Sequence, residues 1–465
     1  MIGNPEFIKN IQLQINAVKM VLMPAVLGMI FIVVYLMNAD SYKPVEYAMQ
    51  VASLVLLGVI VFVWGTKMAV ESLAGEFNDK TWDSQRMTAI DPWNLAWGKL
   101  FGSTLFAWYG GLFCLLVFTV SSFFSPKSYR FLELLLSILF AGVFAQATTL
   151  AFILTEFAKN RDFGKLNLSS YSVAGIIFPL LFFALVAGAY DARGTMQWYS
   201  ITLRPMEMML YSSVYFCLWG VIGFYRAMRK ELQFDTGPWV WTLFVFGLML
   251  YTAGFISNND ELDRSQWLFF ALYISFFIGM ISFYLMAFSE PKSIVDIRWL
   301  TDKAAQRKWG DFFVKLPTWF MSLLLVTLLC SVLLFMKASM HAALVDGPEW
   351  LINFVQFSPL AFLLFCLRDL GVILYVNLTS AKKNRDIVAI FYLIILYALV
   401  PTILMVTDTE SILPWFFPVN SAGFLNSVVP VAAQTGFVFF LLYSEIYPAE
   451  KLSGSTNILG DHSQS

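Results

Sequence analysis

The residues able to do chemistry are scarce in this sequence, and their positions narrow what that chemistry is. The only two histidines, His341 and His462, fall in an outer loop and in the polar C-terminal tail, so neither a metal cluster nor a histidine-based triad can be assembled. Cys114, Cys217, Cys330 and Cys366 lie in separate apolar stretches; without a C-x-x-C spacing they read as small buried hydrophobes rather than a disulfide framework or a zinc site. No G-x-x-x-x-G-K-[ST] phosphate loop occurs, because the Gly98-Lys99 pair lacks the upstream glycine. Catalytic, cofactor-binding and metal-ligating residues are therefore not expected, nor is an enzyme.

What remains are charges of two kinds. Arg368 and Asp369 interrupt the apolar run FCLRDLGVILY, and ionisable groups in lipid are functional candidates by default. Neighbours on a helix point about 100° apart, so these two are expected to pair with other helices rather than with each other. They lie near the inner interface, where Arg can snorkel; structural pairing there and lining of a pathway are both open. Glu133, a turn inside the outer end of its stretch, is expected to reach outer water. The second kind lies in two long loops, 71–100 and 289–317.

The elements that carry these residues follow from composition. Of 465 residues, 59% are hydrophobic and 13% charged, with a mean hydropathy of +0.70, which excludes a soluble protein. The formal net charge of −1, from 30 Lys and Arg against 31 Asp and Glu, leaves no basic field for nucleic acid. A membrane helix needs about 20 apolar residues. Such stretches fall near 18–37, 48–70, 97–122, 131–156, 171–190, 207–227, 238–256, 266–288, 317–336, 351–378, 387–406 and 422–446. The expected fold is all-α and polytopic, with about twelve transmembrane helices.

Of the 30 Lys and Arg, 22 fall in one set of loops and 7 in the alternate set, with Arg368 inside a span. Positive charge stays on the cytoplasmic side, so both termini are expected there, in a bacterial inner (plasma) membrane. The start is not read as a cleavable signal peptide. Instead Asn4-Pro5 opens a cap-then-proline helix that spaces Phe7, Ile8, Ile11 and Ile15 on one side, an amphipathic helix for the membrane surface.

The two halves share fragments. FAKNRD, with Lys159 to Asp162, matches AKKNRD, with Lys383 to Asp386; PWNLAWGKL and KWGDFFVKL each carry Trp and, six residues on, Lys-Leu, at Trp93 with Lys99 and Trp309 with Lys315. A duplication is expected: residues 1–230 as a first six-span half with its amphipathic helix, 231–446 as a second, and 447–465 as a polar cytoplasmic tail. The halves would be related by a pseudo-two-fold axis along the membrane normal.

In the first long loop, Asp91 caps a helix whose first residue is Pro92. The chain would climb back through Trp93, Trp97 and Lys99, residues suited to the interface, and leave Glu71 to Ile90 beneath the membrane for a partner. The second loop is expected to start a helix at Pro291, with Ile294, Ile297, Leu300 and Ala304 on one face. It is the more basic of the two, so a partner meeting both would find them unequal.

The run GEFNDKTWDSQRMTAIDPWNLAWGKL resembles the intracellular loop of the type-2 ABC exporter permease family at Glu76, Thr81, Thr88, Pro92, Gly98 and Lys99. The leader from Asn4-Pro5 is similar to that family's elbow helix. The resemblance covers about the first 120 residues and fades in the second half, where Val314 stands in place of Gly98. Most members of that family have six spans and dimerise. What the resemblance implies is a permease whose inner loops transmit closure of a separate cytoplasmic ABC ATPase, present in two copies, with ATP bound by that partner. The coupling residues would be Glu76, Thr81, Asp83, Arg86, Pro92, Trp93 and Lys99, with Arg298, Trp299 and Trp309 in the second loop. The expected function is ATP-driven transport, export of a hydrophobic or amphipathic substrate, with membrane lipid as surroundings. The alternatives are a twelve-span gradient-driven carrier and a membrane scaffold or lipid-acting enzyme.

Overall fold

The computed structural model describes residues 4–39, 44–88, 90–123, 131–160, 184–185, 188–189, 194–234, 236–256, 264–339, 358–379, 385–417 and 423–446. The chain divides into two compact units, Met1–Thr236 and Gly237–Ser465. Among the described residues ten helices are long and apolar enough to cross a membrane, the architecture of an integral membrane protein. Helices are what such a sequence must form, because backbone N–H and C=O groups in lipid have to bond within their own segment.

In the first unit, α1 (Pro5–Gln14) starts as its sequence predicts, with the Asn4 side chain accepting from the amides of Glu6 and Phe7. The apolar α2 (Ala17–Asn38) follows. Next, α3 (Val45–Leu57) passes through a π-helical stretch, Gly58–Trp64, into α4 (Gly65–Asn78). Together they form one rod of 34 residues, roughly 51 Å long, longer than a hydrocarbon core of about 30 Å.

The short α5 (Trp82–Arg86) then leads to α6 (Pro92–Gly102), where an Asp91 carboxylate oxygen accepts from the Trp93 amide at 3.0 Å. The span expected at 97–122 is not one helix. It breaks at Ser103 and Thr104, whose hydroxyls donate to the carbonyls of Lys99 and Leu100 at 2.6 and 2.7 Å, competing with the backbone for its acceptors, and resumes as α7 (Leu105–Phe123). Then come α8 (Phe131–Asn160), a two-stranded antiparallel hairpin of β1 (Met196–Trp198) and β2 (Ile201–Leu203), and α9 (Pro205–Glu231). The all-α expectation did not include that hairpin.

The second unit holds α10 (Trp239–Ala253), α11 (Arg264–Ser289), α12 (Ile294–Ala305), α13 (Trp309–Val314), α14 (Thr318–Ser339) and α15 (Pro359–Thr379). Of these α10, at 15 residues, is shorter than a full span. Then α16 (Arg385–Ile394) widens into a π turn, Ile395–Leu399, before α17 (Val400–Val406), a 3-10 turn (Glu410–Trp415) and α18 (Gly423–Ile446). The helix expected to start at Pro291 starts instead at Ile294, because Ser293 caps it through the amide of Val295. The fifth expected span near 171–190, the repeat fragments at 161–162 and 380–384, His341, His462 and the 447–465 tail lie outside the described residues.

The same order of packing occurs within each unit. In the first, α2 lies on α3, α3 on α7, α4 on α8, and α8 on α9; in the second, α10 lies on α11, α11 on α14 and on α15, and α15 on α18. The first core is built from Leu57, Val61, Ala107, Cys114, Leu134 and Ile138. The second is built from Phe269, Phe276, Val326, Leu333, Cys366 and Ile373.

Candidate functional site

Of the loop residues expected in the first unit, Glu76 and Lys99 meet in a buried ionic hub, together with Glu6 and Lys9 of α1. Lys99 of α6 is fully enclosed, at 0% exposure. Its ammonium sits 2.6 Å from Glu6 of α1 and also pairs with Glu76 of α4. Lys9 donates to Glu76 at 2.8 Å, Asn10 donates to Glu6 at 3.0 Å, and Gln85 donates to Glu76 at 2.8 Å. Two carboxylates and two ammoniums thus alternate across three segments, and opposite charges offset the cost of taking each from water. The backbone permits this approach because α6 presents glycines to α1. A Cβ on Gly98 would lie 2.8 Å from that of Glu6, and one on Gly102 would lie 2.8 Å from that of Asn10. Lys99 is therefore no interfacial anchor, as its neighbours Trp93 and Trp97 had suggested, but the centre of the hub. Burial alone would lower the Lys9 ammonium, yet its hydrogen bond to Glu76 and the charges of Glu76 and Glu6 outweigh it and hold it above 10.5.

Around the hub the loop is folded back rather than free. Residues Glu71 to Asn78 complete α4, which ends where the Thr81 amide and hydroxyl both reach the Glu76 carbonyl. Trp82 is buried edge-on against Phe77, and its indole N–H donates to Glu231 at 3.2 Å. Arg86 lies 3.9 Å from Glu231 and 3.6 Å from Asp83. Pro92 is buried, whereas Trp93, stacked on Trp97 and edge-on to Tyr225, remains 45% exposed. The outward side offers Trp93, Met87 and the Asp83 carboxylate, all exposed.

The second loop differs. No residue of α12 is buried. Arg298 donates through Nε to the carbonyl of Ile446 at 3.0 Å, Trp299 faces the ammoniums of Lys303 and Lys315, and Trp309 is exposed beside Phe312 and Phe313. Lys315, the counterpart of Lys99 in the sequence match, thus meets an aromatic face rather than two carboxylates.

Arg368 and Asp369 form a second buried cluster, and they do pair with each other. The guanidinium donates to Asp369 Oδ1 through Nε at 3.1 Å and Nη2 at 2.9 Å, a reach that the long Arg side chain has and backbone directions alone do not reveal. Asp369 Oδ2 accepts from Tyr284 of α11 and Tyr397 of the π turn, each at 2.6 Å. Arg368 Nη1 donates to Gln434 of α18, which in turn donates to the Trp415 carbonyl. Arg368 and Asp369 are at 2% and 0% exposure and sit at the middle of α15. The segment after α17 folds back so that Phe417 meets the Tyr397 ring. Tyr284, Tyr397 and Gln434 carry no signal that distinguishes them in sequence from other polar-tipped residues of apolar runs.

At the matching place in the first unit, Gln146 of α8 accepts from the Trp108 indole at 3.0 Å and donates to the carbonyl of Val61 in the π stretch at 3.3 Å. This is a neutral brace where the second unit has a charged one. Glu133 does not simply meet water: Arg204 donates to it at 2.9 Å. Among the described residues no group of three or more His, Cys, Asp or Glu could hold a metal ion.

No protein-family model matches this chain, and no curated protein or solved structure matches it either.

Proposed function

We propose that this chain is the membrane-spanning subunit of an ATP-driven transporter of the type-2 ABC exporter permease kind. In this reading it has twelve spans as two six-helix halves, both termini are cytoplasmic, and it resides in a bacterial inner membrane. Two copies of a separate ATPase bind beneath it and export a hydrophobic or amphipathic substrate. The observation that carries the reading is the hub. Glu76, Gly98 and Lys99, three positions of the family resemblance that lie up to 23 residues apart in sequence, meet around α1 in one buried charge cluster. A push on the exposed Trp93 and α5 reaches α4 and α6 through that cluster, because a buried pair resists separation. The parallel packing order of the two units supports the duplication.

Substituting Glu76→Gln, Arg86→Ala or Trp93→Ala should uncouple ATP hydrolysis in the native membrane complex from transport while leaving membrane insertion intact. Unchanged coupling in all three sinks the proposal. The Arg368–Asp369 cluster favours a second reading, a gradient-driven carrier, since buried ionisable groups often relay ions. Transport that persists without ATP and collapses with the ion gradient would select it.

A further inference from the structure

Where α1 meets α2, the first unit holds a cavity of about 380 Å³ walled by Ile15, Met20, Leu105, Phe106 and Leu112. Two polar-tipped residues, Trp108 and Tyr109, complete the wall, but both tips are committed elsewhere. The indole N–H donates to Gln146 and the phenol donates to the Met20 carbonyl at 2.9 Å. Only ring faces are left to the cavity, so water there would lack the two to four partners it needs. The room exists because the chain breaks at Ser103 and Thr104, just before Leu105 restarts the helix. A cavity of about 150 Å³ takes a benzene ring, so this one holds on the order of fifteen carbon atoms, the scale of one lipid chain.

The surroundings select among apolar occupants. The cavity lies between an amphipathic helix suited to the membrane surface and the first residues of an apolar span, the depth at which acyl chains meet headgroups. Next to Met20 stands Lys19, exposed, with no ion-pair partner among the described residues. A cation at that depth attracts an anionic headgroup. We propose that this cavity is a binding site for one anionic phospholipid, its acyl chain between α1, α2 and α7 and its phosphate on Lys19, and that the bound lipid seats the N-terminal helix. The proposal needs only the membrane-spanning architecture and does not rest on an ATPase partner, so the two fail separately.

The test uses the full chain reconstituted into phosphatidylcholine vesicles doped with phosphatidylglycerol or phosphatidylcholine carrying a diazirine on one acyl chain, with adducts mapped by peptide mass spectrometry after illumination. Adducts should concentrate on the Leu105–Leu112 peptide, with a preference for phosphatidylglycerol of roughly fivefold, about what one cation is worth at an anionic membrane surface. Leu105→Trp, which fills the cavity, should remove those adducts for either lipid. Lys19→Glu, a surface change, should abolish the headgroup preference while retaining the adducts, and it keeps the test decisive if the larger side chain prevents folding. Equal labelling by the two lipids, adducts indifferent to both substitutions, or adducts spread evenly over α2, α10 and α18 would overturn the proposal.

Discussion

In the first unit the charges of the hub come from segments far apart in the chain, Glu6, Glu76 and Lys99, and of these only Glu6 has partners on its own helix, Lys9 at 3.6 Å and Asn10 at 3.0 Å. In the central cluster of the second they are neighbours, Arg368 and Asp369, and the ties that leave this pair are hydrogen bonds to the neutral Tyr284, Tyr397 and Gln434; a separate Lys292–Asp386 contact at 3.1 Å joins distant segments there. The difference separates two uses of buried charge. A hub assembled from three segments is an assembly contact: it exists only while α1, α4 and α6 are docked. A pair made within one helix survives movement of its surroundings and serves as a brace whose strength depends on how fully the neutral partners satisfy it.

That contrast can be broken most sharply in the second unit. Asp369→Ala leaves the Arg368 guanidinium buried without its carboxylate and should destabilise by about 3–5 kcal/mol, read as a lower thermal midpoint in detergent. Replacing the pair together, Arg368→Met with Asp369→Leu, should recover most of the loss, because charges removed together leave none uncompensated. A double variant no better than the single one would show that the pair does more than brace.

In the first unit Lys99→Met leaves the Glu6 and Glu76 carboxylates facing each other. It should cost about 3 kcal/mol, with the loss concentrated at α1, which should gain hydrogen exchange and protease sensitivity while α7 and α8 do not. Uniform loss across the unit would argue against a hub that serves docking.

The expectations that held came from local signals. The Asn4-Pro5 and Asp91-Pro92 helix starts are where residue type alone put them, and apolar runs marked ten of the spans. What could not be read is contact across distance. Lys99 looked interfacial because its neighbours are tryptophans, and nothing in the sequence says that Glu6, 93 residues earlier, turns back to meet it. A signal was present: Gly98 and Gly102 form a G-x-x-x-G spacing, the usual mark of close helix approach, and α1 is what approaches. The Arg368–Asp369 contact was misjudged for a different reason, since helix geometry fixes where a side chain starts and not how far a guanidinium folds back.

Two smaller effects sharpen the comparison. Gln146→Leu strips the Trp108 indole and the Val61 carbonyl of their partner and should cost about 1–2 kcal/mol, less than Asp369→Ala at the matching place because no charge is stranded. A cost equal to that of Asp369→Ala would erase the distinction between neutral and charged brace. Smallest is the response to alkali. Lys9 is held above 10.5 in the folded chain, so its contribution is fully present below its ordinary value and is lost as pH rises through the raised one. Thermal stability of α1 docking, followed by exchange or proteolysis, should therefore fall at strongly alkaline pH and be flat near neutrality. Lys9→Met should remove that alkaline limb.

The most direct measurement is purification of the protein from its native membrane in mild detergent, asking whether a soluble subunit with ATPase activity travels with it. A stoichiometric ATPase retained by the unaltered protein and released by Trp93→Ala or Glu76→Gln is the expected result. Absence of any ATPase under conditions that keep other membrane complexes intact would contradict the coupled-permease reading and leave the gradient-driven carrier in its place.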